Sequence, residues 1–318
     1  MPADTVVADT VVAGTVVAGT VALEGVIPAL VTPVDRAGRV DHGALSRLAA
    51  GLAGRGVAGI GPLGSTGEGY SLDLEQRLAV VGTVARAVPA GMPVIPGVFA
   101  HNHEQAVAEI AAYADHGGTA VLAAPPAYYP LRPAEQEAYF SRLADAAALP
   151  LVIYNIPVFT KVRIEPEVAA ALAPHPRVAG LKDSGRDILH TAALLDAVAA
   201  LGPVAGDFSV LTGTDTTLVA AMLAGARGTI CANANVVPEL VLAVYDAVRA
   251  GKLDEAARHE ARLRAVQAAF DAGGLPAAYK AALASTGVGE PWLVPPRLPL
   301  TEAETARLHS QLTALDVL

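Results

Sequence analysis

Only four lysines occur in the 318 residues, at positions 161, 182, 252 and 280. The other fixed cations are arginines, which supply no amine nucleophile at neutral pH. Lys182 closes the apolar run Val178-Ala-Gly-Leu-Lys and should emerge where a buried strand ends. An apolar setting favours the neutral amine, the form that attacks a carbonyl to make a Schiff base. The plain alternative is a strand-end lysine that is solvated or paired with Asp183. Tyr154 interrupts the run Leu151-Val-Ile-Tyr-Asn-Ile-Pro. It reads either as a buried tyrosine with a backbone partner or, facing Lys182 across a barrel, as a proton carrier. In Gly64-Ser65-Thr66-Gly67-Glu68-Gly69, small residues allow close backbone approach. Two hydroxyls and several N–H groups there can hold a carboxylate, although an ordinary glycine turn has the same composition.

These residues need elements to position them. From Gly25 onward, short apolar runs alternate with amphipathic stretches. Strands are predicted at Gly25–Thr32, Gly59–Leu63, Val94–Phe99, Ala120–Ala124, Leu151–Asn155, Val178–Lys182, Ser209–Thr212 and Gly228–Ala232. Helices are predicted at Asp41–Arg55, Leu74–Val88, Glu104–His116, Pro133–Ala147, Pro166–Ala173, Ile188–Ala200 and Thr217–Ala224. Continuously apolar strands suit a parallel sheet covered on both faces. Eight βα units in succession predict an α/β fold, a (β/α)8 TIM barrel over residues 23–250. Such a barrel carries its chemistry at the C-terminal strand ends. Residues 251–318 read as a C-terminal helical appendage, and the helical pattern already begins at Pro238. Residues 1–22, with Thr-Val-Val-Ala repeating every five positions, read as a low-complexity N-terminal extension.

Composition narrows the function classes. The chain is 53% apolar and 17% charged, enough for a large core. Its net charge of -9, with no basic cluster, argues against nucleic acid and anionic membranes. The single cysteine, Cys231, excludes an intrachain disulfide and fits a cytoplasmic protein. No apolar run is long enough to span a bilayer. Gly59-Ile-Gly61-Pro-Leu-Gly64 formally matches a dinucleotide fingerprint, but a helix precedes it and Pro62 lies in a predicted strand. His101-Asn-His103 lacks a further histidine at ligand spacing and reads as a loop and helix cap.

Taken together, the three strand-end motifs resemble the dihydrodipicolinate synthase / N-acetylneuraminate lyase family of Schiff-base-forming class I aldolases. The resemblance runs from about Leu23 to the C-terminus. It rests on Gly64-Ser-Thr-Gly-Glu68, Tyr154-Asn-Ile-Pro157 and Gly180-Leu-Lys-Asp-Ser184. Ala29-Leu-Val-Thr-Pro33, Pro126-Ala-Tyr-Tyr-Pro130 and Gly228-Thr-Ile-Cys-Ala-Asn-Ala-Asn235 add to it. By resemblance, Lys182 forms the imine, Tyr154 transfers protons and Ser65 bridges hydroxyls. Thr66, with Gly64 and the nearby backbone, binds the carboxylate of pyruvate or another small 2-oxo acid. The backbone carbonyl of Ile230 lines the pocket, and Tyr128 reaches into a neighbouring subunit. The resemblance also implies a homotetramer, a dimer of dimers, needing no cofactor and no metal.

One position departs from the pattern. Family synthases that make the lysine precursor carry an arginine two residues after the Tyr-Asn-x-Pro motif, and Phe159 stands there. A phenyl ring cannot make that charge-assisted pair with a carboxylate. Arg186 and Arg132 are the candidate replacement cations. Pro126-Ala-Tyr-Tyr-Pro130 looks more like the lyase branches, and Lys182-Asp-Ser-Gly with Gly213-Thr-Asp215 resembles aldolases of 4-hydroxy-2-oxoglutarate or 2-keto-3-deoxy sugar acids. The resemblance thus implies an aldolase that reversibly cleaves a 4-hydroxy-2-oxo acid or keto-deoxy acid to pyruvate and an aldehyde. The alternatives are 4-hydroxy-tetrahydrodipicolinate synthase, a keto-deoxy sugar acid dehydratase and, outside enzymes, a 2-oxo acid sensor.

Overall fold

A computed structural model describes residues 23–318, so the pentad repeats lie outside the described residues. Seven strands form one parallel sheet: β1 (Gly25–Pro28), β2 (Gly97–Val98), β3 (Val121–Ala123), β4 (Leu151–Asn155), β5 (Val178–Asp183), β6 (Ser209–Thr212) and β7 (Gly228–Cys231). Their order is β1-β7-β6-β5-β4-β3-β2. The eighth predicted strand, Gly59–Leu63, contributes only parallel bridges from Gly61 to Ala29 and from Ile60 to Val94. Pro62 has no N–H with which to extend that ladder. The two bridges nevertheless join the ends of the sheet and close the (β/α)8 barrel.

The helices match the predicted segments to within one to two residues at each end. They are α1 (His42–Ala53), α2 (Leu74–Ala87), α3 (His103–Asp115), α4 (Pro133–Ala146), α6 (Pro166–Leu172), α7 (Ile188–Ala199) and α8 (Leu218–Leu223). Capping fixes several starts. Asp73 and Gln76 form a reciprocal capping box on α2, and Asp187 accepts from the first amides of α7. The Asn102 side chain caps α3 through Gln105, which is the role read for the His101-Asn-His103 segment. A short helix not anticipated, α5 (Pro157–Thr160), begins on the proline of the Tyr-Asn-Ile-Pro motif.

Strand alternation sorts the core into two layers. Ile27, Leu122, Val152, Tyr154, Leu211 and Ile230 pack together inside the barrel. Their neighbours Val121, Leu151, Ile153, Leu181 and Val210 join the helix residues in the outer core. With Leu181 facing outward, period-two geometry turns Lys182 inward.

After β7 come α9 (Pro238–Arg249), α10 (Leu253–Gly273), α11 (Ala277–Ser285) and α12 (Glu302–Ala314). Leu263, Val266, Phe270, Ala278, Leu308 and Leu312 bury a second core there, and Phe270 stacks on Tyr279 at 4.2 Å. No helix among the described residues is long and apolar enough to cross a membrane.

Candidate active site

Lys182 and Tyr154 are register partners on adjacent strands β5 and β4, not opposite one another across the barrel. The expectation from sequence was inconsistent with the predicted barrel, in which these two consecutive strands are necessarily neighbours. Adjacency brings the pair closer: Lys182 Nζ donates to Tyr154 Oη at 3.3 Å and lies 4.4 Å from the ring centroid. Lys182 is 4% exposed and Tyr154 2%. Tyr154 Oη in turn lies 3.4 Å from Ser65 Oγ. An amine, a phenol and a hydroxyl thus form one hydrogen-bonded chain.

The next residue on each strand has a different task. Asn155 and Asp183 face the other side of the sheet, where Asn155 Nδ2 donates to Asp183 Oδ1 at 2.7 Å. Asp183 also accepts from Thr191 Oγ1 at 2.6 Å and from the Gly185 amide at 3.0 Å. Asp183 therefore does not pair with Lys182, which removes the plain reading of that lysine. Gly213 completes the pocket around the amine. A Cβ there would lie 1.9 Å from Ser184 Oγ and 3.0 Å from Lys182 Cε, so only glycine leaves the lysine its place.

The 64–69 loop is held by backbone packing and one ion pair. A Cβ on Gly69 would lie 2.1 Å from the Leu63 carbonyl, so the turn tolerates no side chain there. Gly64 meets no such restriction. Thr66 is buried and Ser65 half-buried. Glu68 occupies a left-handed conformation at φ 54° and inserts its carboxylate among the C-terminal residues. There it pairs with Lys280 and accepts from the Val294 amide at 3.0 Å, while Lys280 Nζ also donates to the Trp292 carbonyl at 2.9 Å. Both side chains are buried, at 2% for Lys280 and 1% for Glu68. Burial pulls the lysine's pKa down and the Glu68 carboxylate opposes that pull. Sequence alone offered no signal for this contact, which joins residues 212 positions apart.

Ser65 lines a cavity of about 740 Å³. Phe159 and Tyr128 line its wall, 55% and 86% exposed, and Tyr128 makes an edge contact with Tyr129 at 5.0 Å. Lys182 and Tyr154 are not on its lining and connect to it through the hydrogen bond to Ser65. Ile230 packs its side chain into the inner barrel core beside Tyr154. Phe99 and Tyr70, which the sequence did not single out, also line the cavity.

A second polar cluster lies behind the strand ends. Asn233 Nδ2 donates to Asp215 Oδ1 at 3.0 Å and to Gln267 Oε1 at 2.8 Å, and Tyr279 Oη donates to Asn233 Oδ1 at 3.0 Å. Burial pushes the Asp215 pKa from 3.8 up to about 6, against smaller opposing effects from hydrogen bonds. An acid whose folded pKa is raised binds more protons when folded, so its contribution to stability declines as pH rises from about 4 to about 6. In Asp215→Asn that decline disappears. Urea denaturation should therefore show the variant gaining on the wild type by roughly 2–3 kcal/mol across that window, then running parallel above it. A difference that does not change with pH would contradict this.

Comparison with known proteins finds relatives along nearly the whole chain. Residues 22–315 match the dihydrodipicolinate synthetase family. A 4-hydroxy-tetrahydrodipicolinate synthase of Acidiphilium cryptum is 33% identical over 92% of this chain and 99% of its own. Dihydrodipicolinate synthase from Thermotoga maritima superposes with a TM-score of 0.87 at 27% identity, covering 93% of this chain and 100% of that one. A prophage protein of E. coli K12 from the same family, solved in complex with pyruvate, also gives 0.87 at 27% identity, over 93% of this chain and 99% of that one. The chain belongs to the dihydrodipicolinate synthetase family, and is a class I aldolase-type lyase that works through a lysine Schiff base.

Proposed function

We propose that the chain reversibly cleaves a 4-hydroxy-2-oxo acid to pyruvate and an aldehyde, with Lys182 as the imine-forming residue. The observation that carries this is the Lys182–Tyr154–Ser65 chain ending at the cavity lining. The amine attacks the 2-oxo carbon and water leaves, giving the protonated imine. This cation accepts the electron pair released when the C3–C4 bond breaks, while the C4 hydroxyl loses its proton and departs as the aldehyde. The resulting enamine is protonated at C3, and water then hydrolyses the imine to release pyruvate. Tyr154 Oη, within reach of both the amine and Ser65 Oγ, carries the protons. Thr66 and the backbone at Gly64 hold the substrate carboxylate, and the Ile230 carbonyl lines the same pocket. Phe159 faces the aldehyde end.

Removing only the hydroxyl, in Tyr154→Phe, keeps the ring beside Lys182 Nζ. kcat should then fall on the order of 10²–10⁴-fold, with a smaller change in KM. Steady-state assays test it, and an unaltered kcat would remove Tyr154 from proton transfer.

A second reading, 4-hydroxy-tetrahydrodipicolinate synthase, is favoured by the name of the Acidiphilium relative and disfavoured by Phe159. Assaying pyruvate release from a panel of 4-hydroxy-2-oxo and keto-deoxy acids, against condensation of pyruvate with aspartate semialdehyde, decides between them. Release from the panel with little condensation is expected; the reverse supports the synthase, and loss of water without pyruvate marks a dehydratase. The exposed Tyr128 supports a homo-oligomer, a tetramer built as a dimer of dimers, in which it completes a neighbour's site. Sedimentation of a fully active monomer would contradict that assembly. Reaction with small metabolites, with no metal or cofactor, fits a cytoplasmic enzyme.

A further inference from the structure

We propose that the aldehyde partner carries an aromatic group rather than a carboxylate, an inference that rests on the imine reading above. The cavity in front of the Lys182 chain is walled by rings, with Tyr70, Phe99, Phe159, Tyr128 and Tyr129 all on its lining. Three of the rings in this region are contiguous with the chemistry. Phe99 meets Tyr154 edge-on at 6.3 Å between centroids, and Tyr70 meets Phe99 at 6.4 Å with planes 86° apart. An aromatic path therefore leads from the tyrosine beside the amine to the cavity mouth. A planar ring attached to the aldehyde carbon would find edge and face contacts along that path while its carbonyl stayed near Tyr154 Oη.

The charged groups on the lining do not favour an acid. Glu68 is one of them, and it is already committed to Lys280 and the Val294 amide. The exposed Arg297 guanidinium gives one of its N–H groups to the Leu275 carbonyl, and the exposed His101 lies against Tyr70, 6.1 Å between ring centroids. The helix that carries Phe159, Pro157–Thr160, ends on Lys161, whose Nζ donates to the Val158 carbonyl at 2.8 Å and is not on the cavity lining. A carboxylate tail laid along the ring path would lose its water there, since Arg297 is the one fixed cation on the lining among the described residues. The cavity volume of about 740 Å³ falls within the range of small-molecule sites and accommodates a pyruvyl group with a benzene ring.

In the condensation direction, the enamine carbon attacks the aldehyde carbon and one C–C bond forms. The aldehyde oxygen takes a proton through Tyr154, and hydrolysis of the imine restores Lys182 and releases a 4-aryl-4-hydroxy-2-oxo acid. No oxidant or reductant is required.

The test uses the whole chain with saturating pyruvate and two aldehydes, benzaldehyde and succinate semialdehyde, with products quantified by mass spectrometry. Benzaldehyde is expected to give a kcat/KM at least about ten-fold higher. Tyr70→Ala should lower the benzaldehyde value by about ten-fold and the other by less than about two-fold. Phe159→Arg should reverse the order of the two aldehydes. Both side chains are more than half exposed, so neither change threatens the fold. Borohydride trapping with pyruvate alone is run on the same preparation. An adduct together with equal or reversed preference in the wild type, or with no condensation of either aldehyde, overturns the inference alone. Absence of an adduct overturns the imine reading on which it rests.

Discussion

Replacing Lys182 with alanine should lower kcat by at least about 10⁴-fold for any 2-oxo acid substrate, equivalent to roughly 5 kcal/mol of transition-state stabilisation. The size follows from the chemistry. Without the amine there is no imine, and the carbanion equivalent at C3 has no cationic electron sink. Lys182→Arg is the sharper control, because it keeps a cation beside the Tyr154 ring but cannot condense with a ketone. Both variants should fold, since Lys182 is bound only by the Tyr154 hydroxyl and ring. Steady-state kinetics with circular dichroism checks this. Activity within about 10²-fold of wild type in either variant would mean that the carbonyl is activated by another group.

The largest effect on stability is expected at the other buried lysine. Lys280→Met strands the Glu68 carboxylate among Lys280's former neighbours with only the Val294 amide for company. Breaking one side of a fully buried pair typically costs about 3–5 kcal/mol, because the remaining charge is left uncompensated. The urea midpoint should fall accordingly. In Glu68→Leu/Lys280→Met, which removes both charges and conserves bulk, most of the stability should return. The double variant then separates two roles. If the ion pair also fixes the Ser65-Thr66 loop, KM for the 2-oxo acid rises while the fold is intact. A single variant as stable as wild type would show that water reaches this pair.

The candidate site was legible in the sequence because barrels place polar residues at strand ends. Lys182 closes an apolar run, Tyr154 interrupts one and Ser65 follows one in a loop, and all three lie within one hydrogen-bonded chain. Helix positions were equally readable, since Asp41, Asp73 and Asn102 cap α1, α2 and α3 through their own side chains. What stayed hidden required knowledge of distance. The register that sets Tyr154 beside Lys182 is fixed only by the strand pairing, and the Glu68–Lys280 pair crosses from barrel loop to C-terminal helix. Phe99 and Tyr70 carried no motif, and only closure of the barrel placed them on one wall with Phe159. The strand at Gly59–Leu63 shrank to two bridging residues because Pro62 interrupts its ladder.

Reductive trapping tests the central claim most directly. The protein is incubated with pyruvate, the imine is reduced with borohydride, and the digest is mapped by mass spectrometry. A single stable pyruvyl adduct on Lys182, absent from Lys182→Ala, is the expected result. No adduct on the folded protein, or an adduct on Lys161, Lys252 or Lys280 instead, would contradict the assignment of Lys182 as the imine-forming residue.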